Sequence, residues 1–171
     1  MSLPRHSRHV PRLLLPPVSG DIKEETLWAG DIIVSRERIR MTTVLGSCIA
    51  VCLFDSAARF GGMNHYLLPS PGCDARHGAW SIHELFNRML SLGGRLACLQ
   101  AKVFGGGSPL AVANDAAAVG PENARIAFAT LEELSVPVVS ERVGGNTGMR
   151  VYFENWSGAV FVRPHRNERS S

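Results

Sequence analysis

Cysteine and histidine are the side chains of this sequence best suited to nucleophilic chemistry, and one of each stands in a suggestive place. Cys48 follows Leu45-Gly46-Ser47 and lies between two apolar runs, Met41–Leu45 and Ile49–Phe54. Glycine followed by a small residue lets the backbone pass close to a ligand and frees N–H groups to face an oxyanion. A thiol there can attack a carbonyl carbon if a base accepts its proton. His65 is the matching base, at the end of Gly61-Gly62-Met63-Asn64-His65. Spacing alone leaves two readings open for the pair, a nucleophile with its base or a packed thiol beside a core histidine. Cys52 lies on the same strand face as Cys48 and reads as packing. Cys98 reads as core and Cys73 as a loop thiol. No C-x-x-C pair and no zinc spacing occurs.

The elements that must position these two residues are short strands. Ala29–Ser35, Met41–Leu45, Ile49–Phe54 and Phe60–Leu68 are rich in β-branched and apolar residues, and Asp55-Ser56 marks a turn. Pairing of the third and fourth runs as an antiparallel hairpin brings the start of one, Cys48, beside the end of the other, His65. Ser81-Ile82-His83-Glu84 has the spacing of a capping box. Ile82, Leu85, Phe86, Met89 and Leu90 then recur as one helical face, closed by Gly93-Gly94. A second helix is predicted from Gly120-Pro121-Glu122 to about Leu134, with Ala124, Ala127, Phe128, Leu131 and Leu134 inward. Ala101–Gly105, Val136–Ser140, Met149–Glu154 and Ala159–Arg163 complete the strands. Strand and helix alternate too little for a doubly wound sheet. The expected class is α+β, a layered sandwich of β-sheets with two outer helices.

Composition narrows the function. The 171 residues carry a formal net charge of +3 and 45% hydrophobic residues. That supports one domain with a real core. Residues 1–20 hold three arginines and no acid, whereas residues 21–160 hold twelve Lys/Arg against fourteen Asp/Glu. The basic character belongs to the ends, so a nucleic-acid-binding domain is not supported. Residues 1–26 read as a flexible basic leader, 27–163 as the domain and 164–171 as a flexible tail. Leu13-Leu14-Leu15 is closed by Pro16-Pro17, too short for a signal h-region, and no run is long enough to cross a membrane. A cytoplasmic protein with reduced thiols is expected. Gly105-Gly106-Gly107-Ser108 lacks the ending of a phosphate loop and reads as a tight loop. Gly144-Gly145-Asn146-Thr147-Gly148 reads as a hairpin turn.

Four blocks resemble the CheD family, the chemoreceptor glutamine deamidases of bacterial chemotaxis. They are Thr42-Thr43-Val44-Leu45-Gly46-Ser47-Cys48-Ile49-Ala50-Val51-Cys52-Leu53, Gly61–Pro69, Ala101–Gly106 and Gly144–Gly148, in the family's order. The resemblance implies a cysteine hydrolase that converts receptor glutamine side chains to glutamate; some members also hydrolyse glutamyl methyl esters. It implies Cys48 as nucleophile, His65 as base and Thr42 as the third member that orients the ring, with Thr43 on the other strand face. Backbone around Gly46 and Ser47, with the Asn64 side chain, would receive the oxyanion. The implied partners are methyl-accepting chemotaxis receptors and the phosphatase CheC; no metal or organic cofactor is implied, nor nucleic acid or membrane insertion. Three blocks depart from the family pattern: Arg76-His77-Gly78, Gly120-Pro121-Glu122-Asn123 and Gly148-Met149-Arg150. The alternative reading is a non-catalytic CheD-like adaptor that binds receptor or CheC.

Overall fold

A computed structural model describes residues 20–108 and 116–165, together with residue 15. The ends of the proposed leader and tail lie outside the described residues. Nine strands and two helices are found among the described residues: β1 (Lys23–Thr26), β2 (Ile32–Ser35), β3 (Ile39–Leu45), β4 (Ile49–Asp55), β5 (Phe60–Asn64), α1 (Gly78–Ser91), β6 (Leu99–Gly105), α2 (Ala116–Glu133), β7 (Val138–Val143), β8 (Gly148–Glu154) and β9 (Val160–His165). They form a four-stranded sheet, β1-β3-β8-β9, and a five-stranded sheet, β2-β5-β4-β6-β7. β1 runs parallel to β3 and β7 parallel to β6; the other pairs are antiparallel.

The layers follow from the two-residue period of strands. Every residue of β4 is buried. Ile49, Val51 and Leu53 face one cluster, with Ile82, Leu85 and Met89 of α1 and Ala127 and Leu131 of α2. Ala50, Cys52 and Phe54 face a second cluster, with Met41 and Leu45 of β3 and Val151 and Phe153 of β8. The order is therefore helices, five-stranded sheet, four-stranded sheet. This is the α+β sandwich expected, with both helices on one outer face. β4 reads as a continuous apolar run because it is covered on both sides.

Four local expectations differ from what forms. α1 starts at Gly78, and its cap residue, His77, makes no side-chain cap bond. Ser81 is buried and its hydroxyl accepts from Asn64 Nδ2 at 2.9 Å, so the capping box is not used. α2 begins before Pro121, which lies inside it. Cys98 is only half-buried, in a 3₁₀ turn at Leu96–Cys98. Gly144–Gly148 is not a hairpin turn, because β7 and β8 belong to different sheets. It is the crossing between layers, and Gly144 and Gly145 take positive φ there. The sequence reading also omitted β1, an edge strand that is mostly exposed and charged.

Candidate active site

The β4–β5 hairpin sets Cys48 against His65. Cys52 faces Met63, and the same register continues beyond β5 to a bridge between Ile49 and Tyr66. Ile49 and Tyr66 exchange backbone bonds of 3.0 and 2.9 Å. One residue before each stands Cys48 and His65. By the alternation of side chains both point to the face between the two sheets, as diagonal neighbours across the pair. Such neighbours lie about 7–8 Å apart at Cα, within reach of long or aromatic side chains. Cys48 is partly exposed, whereas His65 is buried.

The imidazole is held from the opposite sheet. Thr43 Oγ1 lies 2.8 Å from His65 Nδ1 and donates its own hydrogen to the Leu27 carbonyl at 2.8 Å. A hydroxyl that has spent its hydrogen on a carbonyl can only accept from the ring. This places the ring proton on Nδ1 and leaves the lone pair on Nε2. Nε2 is buried and has no hydrogen-bond partner among the described residues, so no bond joins it to the Cys48 thiol before substrate arrives. Catalytic hydrogen bonds of this kind often tighten only in the substrate complex. The backbone of His65 is fixed as well: its N–H donates to Asp31 O at 3.0 Å and its carbonyl accepts from Gly30 at 2.8 Å.

The hydroxyl that meets the imidazole therefore belongs to Thr43 and not to Thr42. The reason is strand parity. Ile39, Met41 and Leu45 of β3 face the core between the sheets, and Thr43 shares their parity. Thr42 points away; its hydroxyl is buried with no partner among the described residues. The pattern Met41-x-Thr43-x-Leu45 carried that signal in the sequence.

Asn64 also has a different place from the one expected. Its Oδ1 accepts from Val51 N at 2.8 Å and its Nδ2 donates to Ser81 at 2.9 Å, inside the helix-facing layer. Its amide is committed there and does not face the thiol. Gly46 and Ser47 do form the loop that presents Cys48. All three carbonyls of that loop are bound from outside. Gly107 N donates to Gly46 O at 2.9 Å and Gly106 N to Cys48 O at 2.8 Å. Asn123 Nδ2 donates to Ser47 O at 3.0 Å. With the carbonyls turned outward, no backbone carbonyl among the described residues accepts from the N–H of Ser47 or Cys48. Gly105 has φ +107, and a Cβ there would strike the Cys48 carbonyl; only glycine lets the two backbones meet so closely. The Gly144–Gly148 segment braces the Gly105–Ser108 loop in turn, through Gly144 N to Gly105 O and Ser108 N to Gly145 O, each 2.9 Å.

Electrostatics favours a neutral resting pair. Burial pushes the Cys48 thiol up, against a smaller lowering by its own N–H. Burial pulls the His65 imidazole down from 6.5, opposed by the Leu27 carbonyl and the Asp31 carboxylate. Both shifts oppose a thiolate–imidazolium pair before substrate binds. Cys52 is fully buried and its thiol is pushed far up, which fits packing. Cys73 is an exposed loop thiol. Among the described residues no group of three or more His, Cys, Asp or Glu is placed to hold a metal ion. Among the same residues no helix is long and apolar enough to cross a membrane.

The chain is similar to known proteins. The family model described as CheD chemotactic sensory transduction matches residues 68–164. Cys48, His65 and Thr43 precede that match. The protein of Anaeromyxobacter dehalogenans named "Probable chemoreceptor glutamine deamidase CheD 1" is 41% identical over 150 residues, covering 86% of this chain and 88% of the relative. A Caulobacter sp. protein named "Probable chemoreceptor glutamine deamidase CheD" is 44% identical over 152 residues, covering 85% and 79%. Its namesake in Trichlorobacter lovleyi is 35% identical over 145 residues, covering 82% and 90%. With more than half of its length matched by the family model and most of it shared with these relatives, the chain belongs to the CheD family.

Proposed function

We propose that this protein is a protein-glutamine deamidase that converts glutamine side chains of methyl-accepting chemotaxis receptors to glutamate, with Cys48 as nucleophile and His65 as base. The observation that carries the reading is the imidazole itself. Its Nδ1 is held by Thr43, and its buried Nε2, without a partner among the described residues, lies on the strand face that also bears the Cys48 thiol. The name shared by the relatives supports the substrate class.

Nε2 takes the thiol proton as Sγ attacks the side-chain carboxamide carbon. The oxygen gains negative charge and is met by the N–H groups of Ser47 and Cys48. One such donor is worth ~2.7–4 kcal/mol of barrier in comparable sites. The C–N bond breaks as Nε2–H gives its proton to the leaving nitrogen, and ammonia departs from a thioester. Water then attacks that thioester, with His65 accepting its proton, and glutamate and the thiol are restored. Glutamyl methyl esters fit the same steps with methanol as leaving group. Thr43 keeps Nδ1 protonated and the ring fixed throughout. CheC belongs to this reading as a partner, and the cytoplasm as the compartment that keeps Cys48 reduced.

The test is mass spectrometry of a receptor cytoplasmic fragment incubated with wild type and with Cys48→Ala. A gain of one amide-to-acid change per modified glutamine, absent with Cys48→Ala, is expected. Binding of the fragment without conversion would leave the adaptor role in its place.

A further inference from the structure

The strand ladder that sets Cys48 against His65 ends abruptly. Beyond the Ile49–Tyr66 bridge, Leu67 and Leu68 no longer pair with the nucleophile loop; their N–H groups both turn to Arg76 O. One side chain from the helix layer spans the gap. Asn123 is fully buried on α2, and its single NH₂ group donates to Ser47 O at 3.0 Å and to Leu67 O at 3.1 Å. Ser47 immediately precedes the nucleophile, and Leu67 follows the base by two residues. Both hydrogens of the amide are used for this bridge. The main chain of α2 is anchored here by Tyr66, whose hydroxyl donates to the main-chain carbonyl of Asn123 at 2.5 Å. Close approach of α2 is made possible by Gly120, where a Cβ would lie 2.6 Å from Gly106 O. The carboxamide oxygen Oδ1 is buried without a partner among the described residues. Burying an unpaired acceptor is costly, so the side chain is not placed to satisfy itself.

We propose that Asn123 is a positioning residue that locks the separation of Cys48 and His65. It replaces, with one side-chain amide, the backbone bonds that the broken ladder does not make. The proposal rests on the assignment of Cys48 and His65 as nucleophile and base. A misplacement of about 1 Å in such a pair can cost on the order of 10²-fold in rate. Asn123→Asp keeps the shape and removes the donors; Asn123→Ala removes the group.

The experiment reads two quantities in wild type, Asn123→Asp, Asn123→Ala and His65→Ala. The first is kcat and KM for a receptor fragment. The second is the pH profile of Cys48 alkylation by iodoacetamide, followed on the Cys48 peptide by mass spectrometry. The Asn123 variants are expected to lose kcat on the order of 10²-fold with KM near wild type. Their alkylation profiles should move to that of His65→Ala, while the circular dichroism spectrum and cooperative melt remain. A purely structural asparagine would lower the melt and leave the profile of the folded protein as in wild type; that result overturns the proposal. Should both Asn123 variants fail to fold, Tyr66→Phe removes the hydroxyl that anchors the main chain of α2 at Asn123 and must shift the profile in the same direction, and an unshifted profile again overturns it. A wild-type protein that converts no glutamine would remove the proposed function, yet the alkylation profiles would still decide the role of Asn123.

Discussion

At the scale of single residues, the two adjacent threonines are the sharpest point of difference. Thr43 accepts from His65 Nδ1 and donates to Leu27 O, whereas Thr42 touches neither. Thr43→Val is expected to lose a neutral hydrogen bond worth about 0.5–1.5 kcal/mol, up to about tenfold in kcat. Thr42→Val should stay near wild type. Ammonia release measured for both variants checks this, and equal losses would reject the role of Thr43. The pH dependence has a definite sign. Burial holds the His65 imidazole below its ordinary 6.5, so the base form persists into mildly acidic solution. Activity should be full above pH 6.5 and fall only as the pH drops through that lowered value. An acid limb of kcat/KM centred above 6.5 would contradict the neutral resting pair. The same shift links to stability: the unfolded chain binds the His65 proton first, so this contribution is present above pH 6.5 and lost as pH falls through the folded value.

At the scale of elements, the β4–β5 hairpin is the device that holds the pair, and its far end is pinned by Asp55. That buried carboxylate accepts from Ala58 at 2.7 Å, from Arg95 at 2.8 Å and from Ala57 at 2.9 Å. Burial works against its ionised form, but the three N–H groups prevail and its pKa falls below 3.8. Asp55→Asn puts an NH₂ group where acceptors are needed and should cost about 1–3 kcal/mol. Urea unfolding at pH 7 measures it. The contribution of Asp55 is present above its unfolded pKa and lost as pH falls through the lowered one. The wild-type and variant curves should therefore converge in acid, and a gap that does not narrow as the pH falls below 3.8 would reject this account. The opposite end of the hairpin depends on the Gly105–Gly107 loop. Gly105→Ala is expected to lose activity because the new methyl must displace the Cys48 carbonyl, and with it the loop that presents the thiol.

At the scale of the molecule, the site sits at one end of the sandwich, where loops from both sheets meet. The turn between β1 and β2 closes one side. Trp28 N donates to Asp31 at 2.7 Å, and Gly30 and Asp31 bracket the backbone of His65. Trp28 itself is 73% exposed. An exposed large apolar ring on the turn that brackets the His65 backbone is suited to contact a protein substrate. Trp28→Ala is expected to raise KM for a receptor fragment several-fold with little change in kcat or stability. An unchanged KM would place the substrate elsewhere on the rim.

The sequence by itself determined the α+β class, most of the strands, both helices and the chemical types at the site. Those are carried by local patterns: the apolar period of α1, the continuous run of β4, the Gly-Ser-Cys loop and the histidine one hairpin away. What only the tertiary structure decided are the contacts between layers. Whether Thr42 or Thr43 meets the ring depends on which face of β3 packs on the five-stranded sheet. Asn64 looked like an oxyanion donor until Val51 and Ser81 took its amide. Asn123, far from Cys48 in the chain, reaches Ser47 only because Gly120 lets α2 press on the loop. A side chain's partner across layers is set by the packing of whole elements, and packing is a property of the folded chain that no single segment contains.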